Sequence, residues 1–356
     1  MPSSPEGPII KLERREDRGI TGNFYMANNV TCPECDTLST ARVCPHCHSR
    51  LPTNIDSTSH NIIAIVGTSN SGKSHYIASL FAQLRQEARN VNVVIMAGAH
   101  DTDLLYKQYY YTPVYEMHQT LPPTSVAAQN PIIRRPLIYR LCRTRNKSNS
   151  PGKKMVNLVV FDAAGEQFSD ADTMALYNRY LFHASGIILL IDPLSLPGVY
   201  DKLPAHVQEG STEKQVGGID TLLAQINMLY EATGKRRAKR RTKIPVAVTL
   251  TKTDGLARII GDSDPLLAPS RHLDGFNIQE AAWLSDQLRQ RLRDWGEQQI
   301  VDVIDQIFPR SMFYGVSSLG APPQNGQIRA PSPVRVCDPL FWLLHELGFI
   351  ESMKRK

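Results

Sequence analysis

No apolar run in the 356-residue sequence approaches the roughly 20 residues that a membrane-spanning helix takes; the longest relevant one, GIILLID at 186–192, has the length of a strand. A helical channel or transporter is therefore not expected. The first 19 residues, MPSSPEGPIIKLERREDRG, carry mixed charge and no apolar centre, so they do not read as a secretory leader, and the expected compartment is the cytoplasm. Internal repeats and low-complexity tracts are absent, and a composition of 42% hydrophobic and 21% charged residues fits neither a disordered nor a fibrous chain. Cysteine is scarce. Four of the six cysteines crowd into CPECDTLSTARVCPHC at 32–47, and this excludes a disulfide framework spread over the chain. A large excess of one charge sign is absent as well, the net value being +6, and the densest basic run, GKRRAKRRTK at 234–243, reads as a solvated loop before it reads as a nucleic-acid surface.

What is present is an alternation of short apolar runs with helical patterns. NIIAIVG, PLIYRLCR, MVNLVVFD, GIILLID, IPVAVTLTK and SMFYGVSS are expected strands, and residues 73–88, 171–184, 217–231, 278–307 and 338–352 expected helices. Strand and helix in turn imply an α/β fold with a mostly parallel sheet covered on both faces. The expected organisation is a flexible lead over residues 1–30, a cysteine module over 31–50 and one large domain over 60–356. That domain carries insertions at about 89–135, 193–243 and 255–277, longer than ordinary connections need. The first insertion holds an apolar VNVVIMA and a tyrosine-rich helix candidate, DLLYKQYYYTPVYEM, whose rings at helical spacing are expected to be core.

Residues 67–74, GTSNSGKS, fit G-x-x-x-x-G-K-[ST] at every fixed position, with a strand before and an amphipathic helix after. Glycines let the backbone curl so that its N–H groups face phosphate oxygens, and the helix start adds partial positive charge. Gly67, Asn70, Ser71, Gly72, Lys73, Ser74 and His75 are the expected nucleotide contacts of this loop. Lys73 is expected to reach the β- and γ-phosphates and Ser74 to offer its hydroxyl to Mg²⁺.

The loop alone leaves the base open between adenine and guanine. VVFDAAGEQF at 159–168 places Asp162 at a strand end, where a carboxylate can support Mg²⁺, and Gly165 where a backbone N–H can approach the γ-phosphate. TLTKTDG ends the fifth expected strand. Asp254 can accept from the N1–H and 2-amino group of guanine, which adenine does not offer, while Lys252 can lay its methylene stem over the base beside Thr251. The following GVSSLG offers Ser317 and Ser318, the latter with a backbone N–H for guanine O6.

In order, GTSNSGKS, DAAGE, TKTD and VSS resemble the phosphate-loop, switch II and guanine-recognition motifs of TRAFAC-class Ras-like GTPases, over about 61–320. LPPTS, the DAAGE form and the closing DPLFWLLHELG further resemble the bacterial double-GTPase families, which are linked with conflict and signalling systems. The resemblance implies a P-loop GTPase three-layer sandwich that binds GTP or GDP with Mg²⁺. It implies Lys73, Thr124, Gly165 and Glu166 as catalytic residues and Ser74, Thr124 and Asp162 around the magnesium, with Thr120 and Thr112 as alternatives to Thr124. Glu166 stands where the class commonly has a water-orienting glutamine, and a carboxylate there adds negative charge beside a crowded phosphate, so slow intrinsic hydrolysis is expected. No arginine of the chain is assigned as a finger, Arg134 and Arg135 being surface candidates; an effector or activating protein supplying one in trans fits the class. The alternatives are a scaffold that holds GTP or GDP without hydrolysing it and, disfavoured by Asp254, an ATP-dependent P-loop enzyme.

Cys32, Cys35, Cys44 and Cys47 form two C-x-x-C pairs whose thiolates suit tetrahedral Zn²⁺, and the segment resembles a small zinc ribbon. Iron held by the same four thiolates is the chemical alternative. Such a closed site is structural, and its expected role is docking a partner, with nucleic acid as a less favoured ligand.

Overall fold

The computed structural model describes residues 30–31, 38–39, 59–68, 70–99, 101–122, 136–144, 155–160, 181, 183–204, 219, 222–224, 226 and 244–353. The chain divides into two units, Met1–Thr53 and Asn54–Lys356. In the first, β1 (Val30–Thr31) pairs antiparallel with β2 (Leu38–Ser39), Val30 opposite Ser39. The four cysteines lie outside the described residues, as do residues 1–29 of the expected 1–30 lead.

The second unit is built on a seven-stranded sheet of order β4-β5-β6-β3-β7-β8-β9. Its strands are β3 (Ser59–Gly67), β4 (Val93–Ala97), β5 (Leu137–Arg143), β6 (Met155–Val160), β7 (Gly186–Ile191), β8 (Val246–Leu250) and β9 (Ser311–Gly315). β6, β3, β7, β8 and β9 run parallel, while β5 lies antiparallel to both β6 and β4. The six expected strands are therefore present. The seventh, β4, comes from VNVVIMA inside the first expected insertion, where it forms the edge of the sheet by pairing antiparallel with β5.

Alternation along β3 assigns its side chains to two cores. Ile63 and Ile65 join Tyr139, Leu158 and Leu190 with α1 (Lys73–Glu87) on one face. Ala64 and Val66 join Leu189, Val248 and Phe313 on the other, where helices α3 (Ile278–Asp294) and α4 (Gln298–Ile307) contribute Leu288 and Ile304. Helices on both faces of a largely parallel sheet make the three layers that the alternating pattern implies.

One expected helix is two. The 278–307 pattern breaks at Gly296, whose φ of 84° is a left-handed stop after α3, and α4 starts two residues later. The tyrosine-rich segment begins as α2 (Thr102–Tyr106) and widens into a π-helix over Lys107–Glu116 that contains Pro113. Its rings are core, as their spacing implies: Tyr106 and Tyr110 are buried, and Tyr106 meets Phe81 edge-on at 5.8 Å and donates its hydroxyl to Ala78 O at 2.6 Å.

Segment 255–277 is tied to the last helix, α5 (Asp338–Glu346), by a buried polar network. Ser270 donates to Asp338 Oδ1 at 2.5 Å, and Arg335 bridges Asp338 Oδ2 at 3.1 Å and Glu280 Oε1 at 2.6 Å. His272 Nδ1 accepts from Asn277 N, so its Nε2 carries the proton that faces Asp338 Oδ1 at 3.1 Å. Burial alone would raise the Asp338 carboxyl; the His272 hydrogen bond, with Arg335 and Ser270, holds it below its ordinary value.

Candidate functional site

The phosphate-loop residues sit where β3 hands over to α1, at the C-terminal edge of the sheet. Gly67 is irreplaceable on steric grounds, because a β-carbon there would overlap Ser71 Oγ and stand 2.9 Å from the Leu190 carbonyl oxygen. The loop then turns through two left-handed residues, Asn70 at φ 57° and Gly72 at φ 77°, a conformation that Asn and Gly adopt most readily. Gly72 occupies the N-cap of α1 and supplies no side-chain cap, so the first turn's N–H groups face the loop interior uncapped by a side chain. Lys73 and Ser74 follow, both buried. The buried hydroxyls of Thr68 and Ser71 have no hydrogen-bond partner among the described residues. Buried hydroxyls are ordinarily satisfied, so this loop fits a ligand rich in acceptor oxygens, as a nucleotide's phosphates are.

The residues expected to meet the base lie at the ends of β8 and β9, beside the end of β7. Thr251 is tied to the Ile191 carbonyl by both its N–H, at 2.9 Å, and its hydroxyl, at 3.1 Å. Lys252 adopts φ 52°, a strained setting for a lysine, which turns its stem toward the phosphate loop: its Cε lies 3.9 Å from where a Gly72 β-carbon would be. Its ammonium pairs with Asp192 Oδ2 at 2.6 Å. Asp254 Oδ1 accepts from Ser317 Oγ at 2.6 Å, and Ser317 Oγ in turn accepts from Gly320 N at 2.8 Å. Burial raises the Asp254 carboxyl above its ordinary value, the Ser317 hydrogen bond and Lys252 pulling the other way. The adjoining Ser318 carbonyl accepts from Ser79 Oγ at 2.6 Å and so fixes the base-side turn to α1.

His75 is in place on α1, with its side chain bonded to the backbone of Leu121. Its Nε2 accepts from Leu121 N at 3.0 Å, and burial, followed by the nearby Lys252 ammonium, lowers its pKa to about 4. It is therefore a neutral acceptor at neutral pH, and any nucleotide contact at this position falls to its backbone. Thr112, on the π-helix, donates to Glu116, and Thr120 N bonds Gly326 O. Thr124, Asp162, Gly165 and Glu166 lie outside the described residues.

The structure thus brings together Gly67, Asn70, Ser71, Gly72, Lys73, Ser74, Thr251, Lys252, Asp254, Ser317 and Ser318. Two residues of the site, Thr68 and Asp192, are not among those expected from sequence. Asp192 has one legible signal: it ends GIILLID as Asp254 follows VAVTL, an acidic residue at the C-terminal end of a buried strand, where ligands meet parallel sheets.

Residues 61–306, more than half of the chain, match the model of the Double-GTPase 2 family. The chain belongs to the Double-GTPase 2 family. This double-GTPase chain is 26% identical over 322 residues, 86% of its own length and 80% of the other's, to a putative ESX-1 scaffolding and assembly protein, SaeC, of Mycolicibacterium smegmatis. Among solved structures it is similar to the Arl6 small GTPase of Trypanosoma brucei with a bound nucleotide analogue. There the identity is 12% and the TM-score 0.32, with 82% of this chain and 98% of the other covered. It is also similar to the GTP-bound GTPase-like domain of Ski7 from S. cerevisiae, at 11% identity and TM-score 0.33 over 83% of this chain and 51% of that one. No helix among the described residues of the double-GTPase chain is long and apolar enough to cross a membrane.

Proposed function

We propose that the protein is a guanine-nucleotide switch that binds GTP with Mg²⁺ and hydrolyses it slowly to GDP and phosphate. The observation that carries this reading is the half-buried Asp254 carboxylate, oriented by Ser317 beside a lysine that lies against the phosphate loop. Two acceptor oxygens in that setting match the N1–H and 2-amino donors of guanine; adenine would leave them unpaired, a mismatch that can cost on the order of 10⁴ in selectivity. Family membership supports the same base. Titration of GTP against ATP tests it, with Asp254→Asn as control: tight ATP binding that ignores the substitution would overturn the guanine assignment.

Within this reading Lys73 binds the β- and γ-phosphates, and Ser74, Thr124 and Asp162 hold the magnesium. A magnesium ion held by these residues would supply neutralisation of phosphate charge. Gly165 senses the γ-phosphate through its backbone, and the 112–126 and 163–172 segments exchange arrangements when it is lost. Glu166 is the reason for a low rate. Single-turnover assays of the wild type and Glu166→Gln should show the variant to be faster, and a fast wild type would sink the idea.

A specific observation favours a second reading, a scaffold that holds nucleotide with negligible turnover: the Mycolicibacterium smegmatis relative is described as a scaffolding and assembly protein. Phosphate release with and without candidate activating partners separates the two. For the N-terminal unit we propose a structural zinc ribbon on Cys32, Cys35, Cys44 and Cys47 that docks a partner in the cytoplasm. The purified chain should then carry one zinc ion, lost on Cys→Ser substitution with GTP binding retained; elemental analysis finding iron or no metal would refute it.

A further inference from the structure

Asp192 is fully buried at the end of β7, and nothing in the phosphate loop or base-recognition motifs accounts for it. Its two carboxylate oxygens have different work. Oδ1 accepts from Leu194 N at 3.0 Å and caps the 3₁₀ turn Pro193–Ser195, while Oδ2 takes the Lys252 ammonium at 2.6 Å. Its backbone carbonyl accepts from Ser195 Oγ at 2.8 Å, so the main chain at the start of the turn is fixed as well. A turn cap needs only a neutral oxygen, for which Asn or Ser would serve. A full carboxylate buried at this point needs the ammonium beside it.

The ammonium has two carboxylates within its influence. Lys252 acts electrostatically on Asp254 two residues away, and Asp192 acts on Asp254 in the opposite sense. Asp254 already feels the Lys252 ammonium, so a lysine head released from Asp192 can turn toward it, and an Asp254 paired with an ammonium is a weaker acceptor for the donors of a base.

We propose that Asp192 is a positioning residue for guanine specificity: it holds the Lys252 ammonium at the end of β7, so that the lysine stem stays against Gly72 and the Asp254 carboxylate remains an acceptor for the base. The inference rests on the guanine-binding reading and goes beyond it by adding a residue outside the recognition motifs.

The test is the ratio of the dissociation constants for ITP and GTP, since inosine lacks the 2-amino donor that Asp254 would read. In the full-length wild type the ratio should favour GTP. In Asp192→Asn, which keeps an oxygen for Leu194 N and removes the charge, the ratio should fall about tenfold, the worth of one charge-assisted hydrogen bond, with little change in the melting temperature. Asp192→Ser removes the charge and keeps a capping oxygen by a second route, and the same fall is expected. A ratio unchanged in either folded variant would reduce Asp192 to a turn cap and overturn the inference while leaving GTP binding intact. A wild type that does not distinguish GTP from ATP would instead defeat the guanine reading and this inference together.

Discussion

The hydroxyl of Ser317 donates to Asp254 Oδ1 at 2.6 Å while accepting from the Gly320 backbone N–H at 2.8 Å, so a single side chain fixes the Asp254 carboxylate to the turn after β9. Ser317→Ala removes both bonds and leaves a half-buried carboxylate to reorient. GTP affinity should fall about tenfold, as for the loss of one hydrogen bond to a charged group, measured by calorimetric titration.

The raised Asp254 pKa has two consequences of opposite sign. Because burial makes the folded carboxyl bind its proton more readily than the unfolded chain does, this group's contribution to the stability of the nucleotide-free protein improves as pH falls through the raised value toward the ordinary carboxylate range. Guanine needs the ionised form, so GTP affinity should weaken over the same range. Affinity measured from neutral to mildly acidic pH should show that loss in the wild type, and Asp254→Asn, already weak, should be flat there.

Gly67→Ala is expected to damage the protein out of proportion to one methyl group. The added carbon meets Ser71 Oγ and the Leu190 backbone oxygen at once, and neither the loop nor the β7 backbone can give way cheaply. Overpacking of this kind costs about 1–3 kcal/mol. Thermal melts should show the loss, and nucleotide binding should weaken with it because the phosphate loop must move.

His75 joins α1 to the segment that leads toward Thr124. Its pKa near 4 against an ordinary 6.5 means that the unfolded chain takes up the proton first, so the stability it contributes is full above about pH 6.5 and is lost as pH falls toward 4. Melts should show that loss in the wild type and not in His75→Gln. Hydrogen exchange gives a local reading: the Leu121 amide, protected by the imidazole, should exchange faster in His75→Ala.

Much of this molecule is legible in the order of its residues. The phosphate loop announces itself because its chemistry needs particular residues in succession: Gly67 for space, Gly72 for a left-handed turn, and Lys73 and Ser74 at a helix start. Asp254 is legible for a similar reason, as a carboxylate placed just past a strand end by a short local pattern. Five of the six strands legible in the sequence run parallel and are largely apolar, as buried parallel strands are, and the antiparallel β5 is read from the apolar run in PLIYRLCR.

Pairing and partnership are not legible in that way. VNVVIMA becomes β4 only through its antiparallel register with β5, and 278–307 becomes two helices only because Gly296 takes a positive φ that the apolar period does not encode. The neutral state of His75 depends on burial and on Leu121, 46 positions away in the chain. Asp192 shows the division most plainly. Residue order alone sets a carboxylate at the end of GIILLID and a lysine within TKTD. Folding lays β7 beside β8 and puts the two 2.6 Å apart, where Coulomb attraction in a buried setting couples residues that the chain holds 60 positions apart.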